Sequence, residues 1–578
     1  MSSKNIYVDI LNDFRKMLHM FIRVNKTPNS PRRSIQIVES IRTGDKVKQK
    51  IVHYVGIAND EDEEQKLKDY GLYLIAKIKT KRLNESQQTS LFPVAEEEML
   101  EHVKSKAGRK KRKRLQDIIP PEKVSLSDIK EQDRIVEGIH EVGNAVYNML
   151  GYDSILQKRD DNILRDLVLA RLASPASKHK TQRILSKQFG KEHDLDSIYR
   201  MMDKLYDRID DVKKCTFEQM RSLFPNKVDL VLFDVTTLYF ETVETDGLRN
   251  FGYSKDLRFN TSQVVLALAT NEDGLPIGYE LFEGNKAEVK TLSSAIEHWK
   301  TLFNIGEVCF VGDRAMFTRD NLSLLESHGY KYIVAAKLRS LSDDVQEQVL
   351  DDNNYKLTVL KNTVAWINEL DYENKRLIVS YKKQRAINDS KEREKILNKI
   401  KKLIGNKGST KKLISNQGVK KFTHTDESST VLDEEKIAAD ALWDGLHGVI
   451  TNIKGDSAES IIARYSKLWV IEESFRINKH LLKVRPVFHW KPNRVHAHIA
   501  LCYMTFAILR HLQYRVALTQ KISPEIIIEE LLQVQASIHI HKRTHDLYRV
   551  PGYFSNIARK IYKTFGITRS EDAAVYIT

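Results

Sequence analysis

Three carboxylates in this chain of 578 residues stand in places that ask for an explanation. Asp234 follows the run 228–233, apolar except for Asp229, and Asp313 follows the strand-like run 307–311 and Gly312. A charge in such a position is costly unless it is paired or binds a metal ion. Glu472 lies in the stretch 456–483, DSAESIIARYSKLWVIEESFRINKHLLK. No Gly or Pro interrupts it, and Asp456 and Glu459 are spaced as a capping box, so one long helix is predicted there. Tyr465, Trp469, Glu472, Arg476, Lys479 and Lys483 recur at steps of four and three and so share one helix face. Ile461, Leu468, Ile471, Phe475 and Leu482 form an adjoining apolar face. Taken singly, each aspartate reads equally as a strand-end cap or an ion-pair partner, and the stripe as a solvated ladder of i,i+4 pairs. Taken together, acids from strand, strand and helix suit two divalent cations that activate an attacking oxygen on a phosphodiester and stabilise the leaving one. Magnesium is the hard, oxygen-preferring ion for such ligands.

The elements that must hold these acids follow from hydrophobic periodicity. Strands are predicted over 228–233, 263–270, 277–283, 307–311 and 332–338, and helices over 288–303 and 318–328. That order describes an α/β core, a mixed sheet covered by helices. Between Asp313 and Glu472 lie strand-like segments at 355–368 and 375–381 and a lysine-rich helical run at 389–404. GNKGSTKK, at 405–412, has the wrong spacing for a phosphate loop and follows a helix rather than a strand, so nucleotide binding is excluded there.

Upstream of the core, 34–41 and 47–55 form a predicted β-hairpin with Arg and Lys on its outer face, readable as a DNA contact or as an ordinary solvated sheet face. KSKAGRKKRKR, at 104–114, repels itself and reads as a linker or a phosphate-contacting arm. Helices are predicted over 133–150, 161–172 and 197–210, and SPASKHKTQRIL, at 174–185, places cations at a helix start, as phosphate binding would use. The run 499–509 is too short for the roughly 20 residues that span a bilayer and reads as a buried helix, with no membrane partner.

Lys and Arg number 93 against 78 Asp and Glu, a net charge of +15 that favours a polyanionic partner such as nucleic acid. Cys215, Cys309 and Cys502 lie far apart with no CxxC, which points to a reducing compartment and excludes a cysteine-built zinc site. No charged-then-apolar leader opens the sequence, and a cytoplasmic location is expected.

The order Asp, Asp, Glu on strand, strand and helix resembles the RNase H-like catalytic core of DDE transposases. Tyr465, Glu472 and Lys479 match three positions of the Y-x2-R-x3-E-x6-K signature of bacterial insertion-sequence transposases of the IS-four type. Leu468 stands where that signature has arginine, with Lys467 and Arg464 as the neighbouring cations. Trp469 matches an aromatic that commonly follows the arginine. DVTTLYFET from Asp234, FGYSKDLRFN from Phe251, LPIGYELFEGNKAE from Leu275, VGDRAMFT from Val311 and DGLHGVITN from Asp444 are similar to family segments. The likeness covers 228–340 and 440–515, and more loosely the first 225 residues.

The resemblance implies an RNase H-like five-stranded mixed sheet with helices, interrupted by a β-rich insertion before the helix of the catalytic glutamate. Implied domains are a hairpin region at 1–100, a basic linker at 101–124, a helical DNA-binding domain at 125–225, core parts at 226–340 and 451–515 around an insertion at 341–450, and a C-terminal helical region at 516–578. It assigns Asp234, Asp313 and Glu472 to catalysis and to two Mg²⁺ ions, with Mn²⁺ able to substitute. It assigns Tyr465, Trp469, Arg476, Lys479, Lys255 and Arg314 to DNA contacts, and makes Trp366 and Trp443 either stacking surfaces for an unstacked base or structural aromatics. The implied activity is cut-and-paste transposition on double-stranded DNA, with terminal inverted repeats and target DNA as partners, a synaptic homodimer and a nucleoid-associated location in a bacterium. A structure-specific nuclease on the same core and a catalytically silent DNA-binding inhibitor are the alternatives.

Overall fold

Alternation near the start of the chain builds an antiparallel sheet in the order β1 (Met20–Lys26), β2 (Arg33–Thr43), β3 (Lys46–Ala58). The predicted hairpin is β2 and β3, with Ile35, Ile37, Val38 and Val55 buried, and β1 adds a third strand. The computed structural model describes residues 20–26, 33–43, 46–58, 124–224, 230–240, 244–252, 261–303, 308–313, 317–360, 363–404, 421–425, 430–519 and 522–576, with a few positions between 64 and 75. The basic run at 104–114, the segment at 405–412, Lys255 and Arg314 lie outside the described residues. Contacts divide the chain into two units, one of Met1–Lys227 with Ile477–Thr578 and one of Val228–Arg476.

The first unit continues with β4 (Ile129–Val136) and the helices α1 (Gly138–Met149), α2 (Lys158–Ala173), α3 (Lys178–Phe189), α4 (Leu195–Tyr206) and α5 (Ile209–Leu223). The helix predicted from 133 therefore starts only at Gly138. Residues 133–136 are strand because they pair with a segment some 400 positions away, which local periodicity cannot register.

In the second unit the chain runs β5 (Leu230–Tyr239), β6 (Gln263–Thr270), β7 (Pro276–Glu283), α6 (Glu288–Phe303), β8 (Cys309–Gly312), α7 (Arg319–Ser327) and β9 (Lys331–Ala336). It goes on through α8 (Asp343–Leu350), β10 (Lys356–Leu360), β11 (Thr363–Tyr372), β12 (Lys375–Tyr381), α9 (Lys383–Ile404), β13 (Thr423–Thr425), β14 (Thr430–Leu432), α10 (Glu434–Ala441) and β15 (Leu446–Thr451). The sheet has nine strands, not five, in the order β10-β11-β12-β15-β9-β8-β5-β6-β7. The four extra strands, β10, β11, β12 and β15, lie between 356 and 451: β12 pairs with β15, and β15 with β9, so this stretch extends the same sheet. The strand β6, apolar from Val264 to Ala269, is buried on both faces, as continuous apolar strands are.

The stretch 456–483 is not one helix. It breaks into α11 (Ala458–Tyr465), a 3₁₀ turn at Ser466–Leu468, α12 (Trp469–Arg476) and a π-helical stretch at Ile477–Leu481. Nor does Asp456 cap it: Ser457 accepts from the Ser460 N–H at 3.2 Å, Asp456 pairs with Arg464 at 2.8 Å, and Glu459 accepts from Thr358 at 3.1 Å. Trp469, Glu472 and Arg476 keep helical spacing within α12, while Tyr465 precedes a tightened turn and Lys479 sits in a widened one, so the predicted stripe is not straight.

The C-terminal part of the first unit supplies α13 (Pro492–Ala517), α14 (Pro524–Gln533), β16 (Gln535–His541), β17 (Leu547–Pro551), α15 (Asn556–Thr564) and β18 (Ala574–Val575). The helix α13 contains the predicted run 499–509, every residue of which is buried, and it packs against α1, α2, α4 and α5. Among the described residues no helix is long and apolar enough to cross a membrane. The region 516–578, expected to be helical, holds α14 and α15 and also strands that complete the sheet β18-β17-β16-β4. Glu137, next to β4, takes both oxygens' worth of Arg549, at 2.5 and 2.6 Å, and a bond from Arg569 at 2.8 Å, a fork that ties the ends of this unit's sequence together.

Candidate active site

Strand register relates the two aspartates. β5 and β8 are parallel neighbours with Leu230 opposite Cys309 and, in step, Phe233 opposite Gly312. Asp234 follows the last paired residue on β5 and Asp313 the last on β8, so the two aspartates leave the paired stretch at the same level. Asp234 is still within its strand and half-buried, whereas Asp313 is exposed just beyond the end of β8. Gly312 is dictated by the closeness of β5 and β8: a Cβ there would meet the Phe233 carbonyl oxygen at 2.8 Å and the Phe317 ring at 2.5 Å.

The third acid arrives on α12. Val470, Ile471, Ser474 and Phe475 are its buried face, packed against β5 and β6, which leaves Glu472 exposed. Trp469 is 56% exposed, a large open aromatic surface, and Arg476 is exposed with Glu473 at 3.7 Å. Tyr465 links the acids electrostatically. Burial pushes its phenol up to about 12, the carboxylate of Asp313 adds to that, the Arg385 guanidinium opposes it, and Glu472 adds a further push. Tyr465 therefore feels both carboxylates and remains a protonated hydrogen-bond donor throughout the neutral range. Its ring lies 5.0 Å from that of His447, which burial, Arg385 and Lys382 pull down to about 4, so this imidazole is neutral at pH 7.

Arg385 and His447 are residues that sequence reasoning missed. Both line a cleft of about 480 Å³ with Lys337, Arg339, Asp389 and Trp443. No motif marks Arg385, which reaches this region because the start of α9 is tied to Gly445, just before β15: Lys382 N–H donates to the Gly445 carbonyl at 3.1 Å and Gly445 N–H to Asp389 at 3.0 Å. The two cations considered as substitutes for the signature arginine are engaged elsewhere: Arg464 pairs with Asp456 at 2.8 Å and Lys467 with Glu272 at 3.5 Å. Leu468 is part-buried in the 3₁₀ turn. Trp443 packs against the cluster of Leu338, Val349, Leu377 and Val379 with the Arg339 guanidinium 5.9 Å from its ring, and Trp366 meets Tyr381 edge-on at 5.6 Å. Lys479 belongs to the first unit.

As a donor set, three carboxylates have the right chemistry for a hard divalent cation. The shared influence on Tyr465 relates Asp313 to Glu472, and Asp234 lies on β5, the strand next to β8 and under α12. Among the described residues, however, no group of three or more His, Cys, Asp or Glu is placed to hold a metal ion, so they are not closed into a coordination set.

Residues 226–508 match the family model described as the transposase DDE domain. No curated protein matches the chain. Among solved structures, a cryo-EM structure of the piggyBac transposase synaptic complex with hairpin DNA aligns with 68% of this chain and 76% of its own at 9% identity, with a TM-score of 0.35. The Mos1 transposase paired-end complex with left transposon end aligns with 42% of this chain and 68% of its own at 15% identity, with a TM-score of 0.13.

Proposed function

We propose, taking the transposase DDE domain match as premise, that this protein is a transposase of the IS-four type on an RNase H-like core, cutting the ends of a mobile DNA element and joining them to a target. The observation that supports the reading is that Asp234 and Asp313 follow the paired ends of the neighbouring strands β5 and β8, while α12, which carries Glu472, packs on β5 and β6, and Tyr465 responds to Asp313 and Glu472. Asp234, Asp313 and Glu472 would hold divalent magnesium, or manganese in its place, which when bound lowers the pKa of water and offsets charge on the attacking and leaving oxygens. The protein's own groups do the rest. Tyr465, held protonated, donates its hydroxyl to a phosphate oxygen near the scissile bond. Arg385 supplies positive charge beside it, in the role left open by Leu468. Trp469 offers a stacking face, and Arg476, Lys479, Lys255 and Arg314 are backbone contacts that position the strand. The substrates are double-stranded terminal inverted repeats and target DNA, handled by a synaptic homodimer at the bacterial nucleoid.

The test is strand transfer in vitro. Purified protein is given Mg²⁺, a donor duplex with a 3′-hydroxyl end taken from the repeats flanking its reading frame, and a supercoiled plasmid. Joined product is the expected result. Cleavage without joining would replace the proposal with a structure-specific nuclease, and binding without either would replace it with a silent DNA-binding protein.

A further inference from the structure

A lysine buried in the first turn of a helix needs a reason, because an ammonium there faces the positive end of the helix dipole. Lys178 opens α3 behind its N-cap Ser177 and is 5% exposed. Lys178 thus turns away from any phosphate at this helix start, which leaves the exposed His179 and Lys180 for that reading of SPASKHK. Burial, and then the neighbouring Arg171, pull this ammonium down to about 7. Its Nζ lies 3.2 Å from Nδ1 of His498 on α13. An ammonium can only donate, so Nδ1 accepts, and the Nε2–H is left to donate to the carbonyl of Val484, 3.3 Å away.

Arg171 on α2, also 5% exposed, acts on the same segment directly. Its Nη1 donates to the carbonyls of Leu482 at 2.8 Å and Lys483 at 3.1 Å, and its Nη2 to Ala176 at 3.4 Å. Three consecutive carbonyls, 482 to 484, are therefore held by two buried cations, one directly and one through an imidazole. The middle residue, Lys483, has φ +45°, a left-handed conformation that costs a non-glycine residue about 1 kcal/mol or more and persists only where its surroundings enforce it. The held segment in turn grips what precedes it: Leu482 N–H donates to the Ile477 carbonyl and Val484 N–H to that of Asn478, both at 2.9 Å. Those two acceptors lie immediately before Lys479 in the π-helical stretch.

We propose that Arg171 and Lys178, the latter through His498, are positioning residues that lock the left-handed reversal at Lys483 and so fix the wide turn presenting Lys479 to a DNA phosphate. The proposal rests on the reading of Lys479 as a phosphate contact. Neither Arg171 nor Lys178 touches DNA itself, since both are buried.

The experiment measures binding of a short fluorescent duplex of arbitrary sequence across a salt series, for the full chain and for Lys479→Ala, Arg171→Lys, Lys178→Met and the double variants with Lys479→Ala. Loss of one phosphate contact lowers the slope of log K against log salt by about 0.9. Lys479→Ala, Arg171→Lys and Lys178→Met are each expected to show that loss, and the doubles no more than Lys479→Ala alone. Strand cleavage by Arg171→Lys falls about 10²-fold, as for a misplaced group, with its thermal unfolding still cooperative. Lys178→Met removes the buried charge without a large volume change and guards against a folding failure of Arg171→Lys. If Lys479→Ala lowers the slope while folded Arg171→Lys and Lys178→Met do not, or if the losses add in the doubles, the positioning role is overturned and the reading of Lys479 stands. If Lys479→Ala leaves the slope unchanged, both are overturned.

Discussion

Asp234, Asp313 and Glu472 can be tested one carboxyl at a time, because Asn and Gln preserve shape while removing charge. Each of Asp234→Asn, Asp313→Asn and Glu472→Gln is expected to lower strand cleavage by about 10³-fold, the scale of losing a group that supports transition-state charge, while duplex binding measured by fluorescence anisotropy stays within a few-fold. Loss of binding in all three would mark the acids as structural. Tyr465→Phe removes only a hydroxyl donor and is expected to cost about tenfold to a hundredfold in cleavage rate, the worth of a hydrogen bond to a charged group. Since burial and the two carboxylates hold that phenol up at about 12, its contribution stays flat across neutral and mildly alkaline pH, which a pH–rate profile of wild type against Tyr465→Phe checks. The residues proposed for this site are chosen from the sequence, because residue type and an apolar neighbourhood are both local properties. Arg385 and His447 are not, because nothing near them in sequence says that the one acts on Tyr465 electrostatically and the other lies against its ring.

At the scale of the element, the site depends on how closely β5 and β8 approach. Gly312 has no room for a methyl group against the Phe233 carbonyl and the Phe317 ring. Gly312→Ala must push the end of β8 away from β5 and carry Asp313 with it. We expect a loss of about 1–3 kcal/mol in chemical denaturation, the usual cost of overpacking, together with a fall in cleavage larger than that stability loss explains. Wild-type cleavage in a folded Gly312→Ala variant would show that the register is not what sets the two aspartates. The helix of the third acid carries a different lesson. Its composition permits a continuous α-helix from 456 to 483, and nothing local calls for the 3₁₀ turn at Ser466–Leu468 or the wide turn at Ile477–Leu481. Those departures follow from packing: α12 settles its buried face on β5 and β6, while within the first unit Leu482 to Val484 are held by the buried donors Arg171 and His498, so the spacing along the chain yields to contacts made elsewhere.

For the whole molecule, several imidazoles are kept neutral by burial, and this sets how stability depends on pH. His447 is pulled down to about 4, His489 to about 3, and His498 and His511 also well below their ordinary value, in every case chiefly by burial. The unfolded chain protonates these rings as pH falls through about 6.5, while the folded chain does not until about 4 or lower. Unfolding therefore takes up protons in that window, and stability falls as pH falls from about 6.5 towards 4. The expected observation is a lower unfolding temperature at pH 5 than at pH 7. His511, on α13, has no hydrogen-bond partner for either ring nitrogen among the described residues. His511→Leu should be neutral or stabilising by up to about 1 kcal/mol at pH 7 and should shrink the difference between the two pH values; an unchanged difference would clear His511 of that role. What the sequence determined by itself was the inventory and the strongest local elements: an excess of cations, three acids in unusual settings, and the strands and helices whose period is clear, such as β6, β7, α6, α7 and β12. Tertiary structure alone decided which strands are neighbours, that four strands join the five expected ones in a single sheet, that 133–136 pair with the C-terminal region, and that Lys178 turns inward. The reason is physical: periodicity is written within a dozen residues, whereas register and burial are set by partners hundreds of positions away.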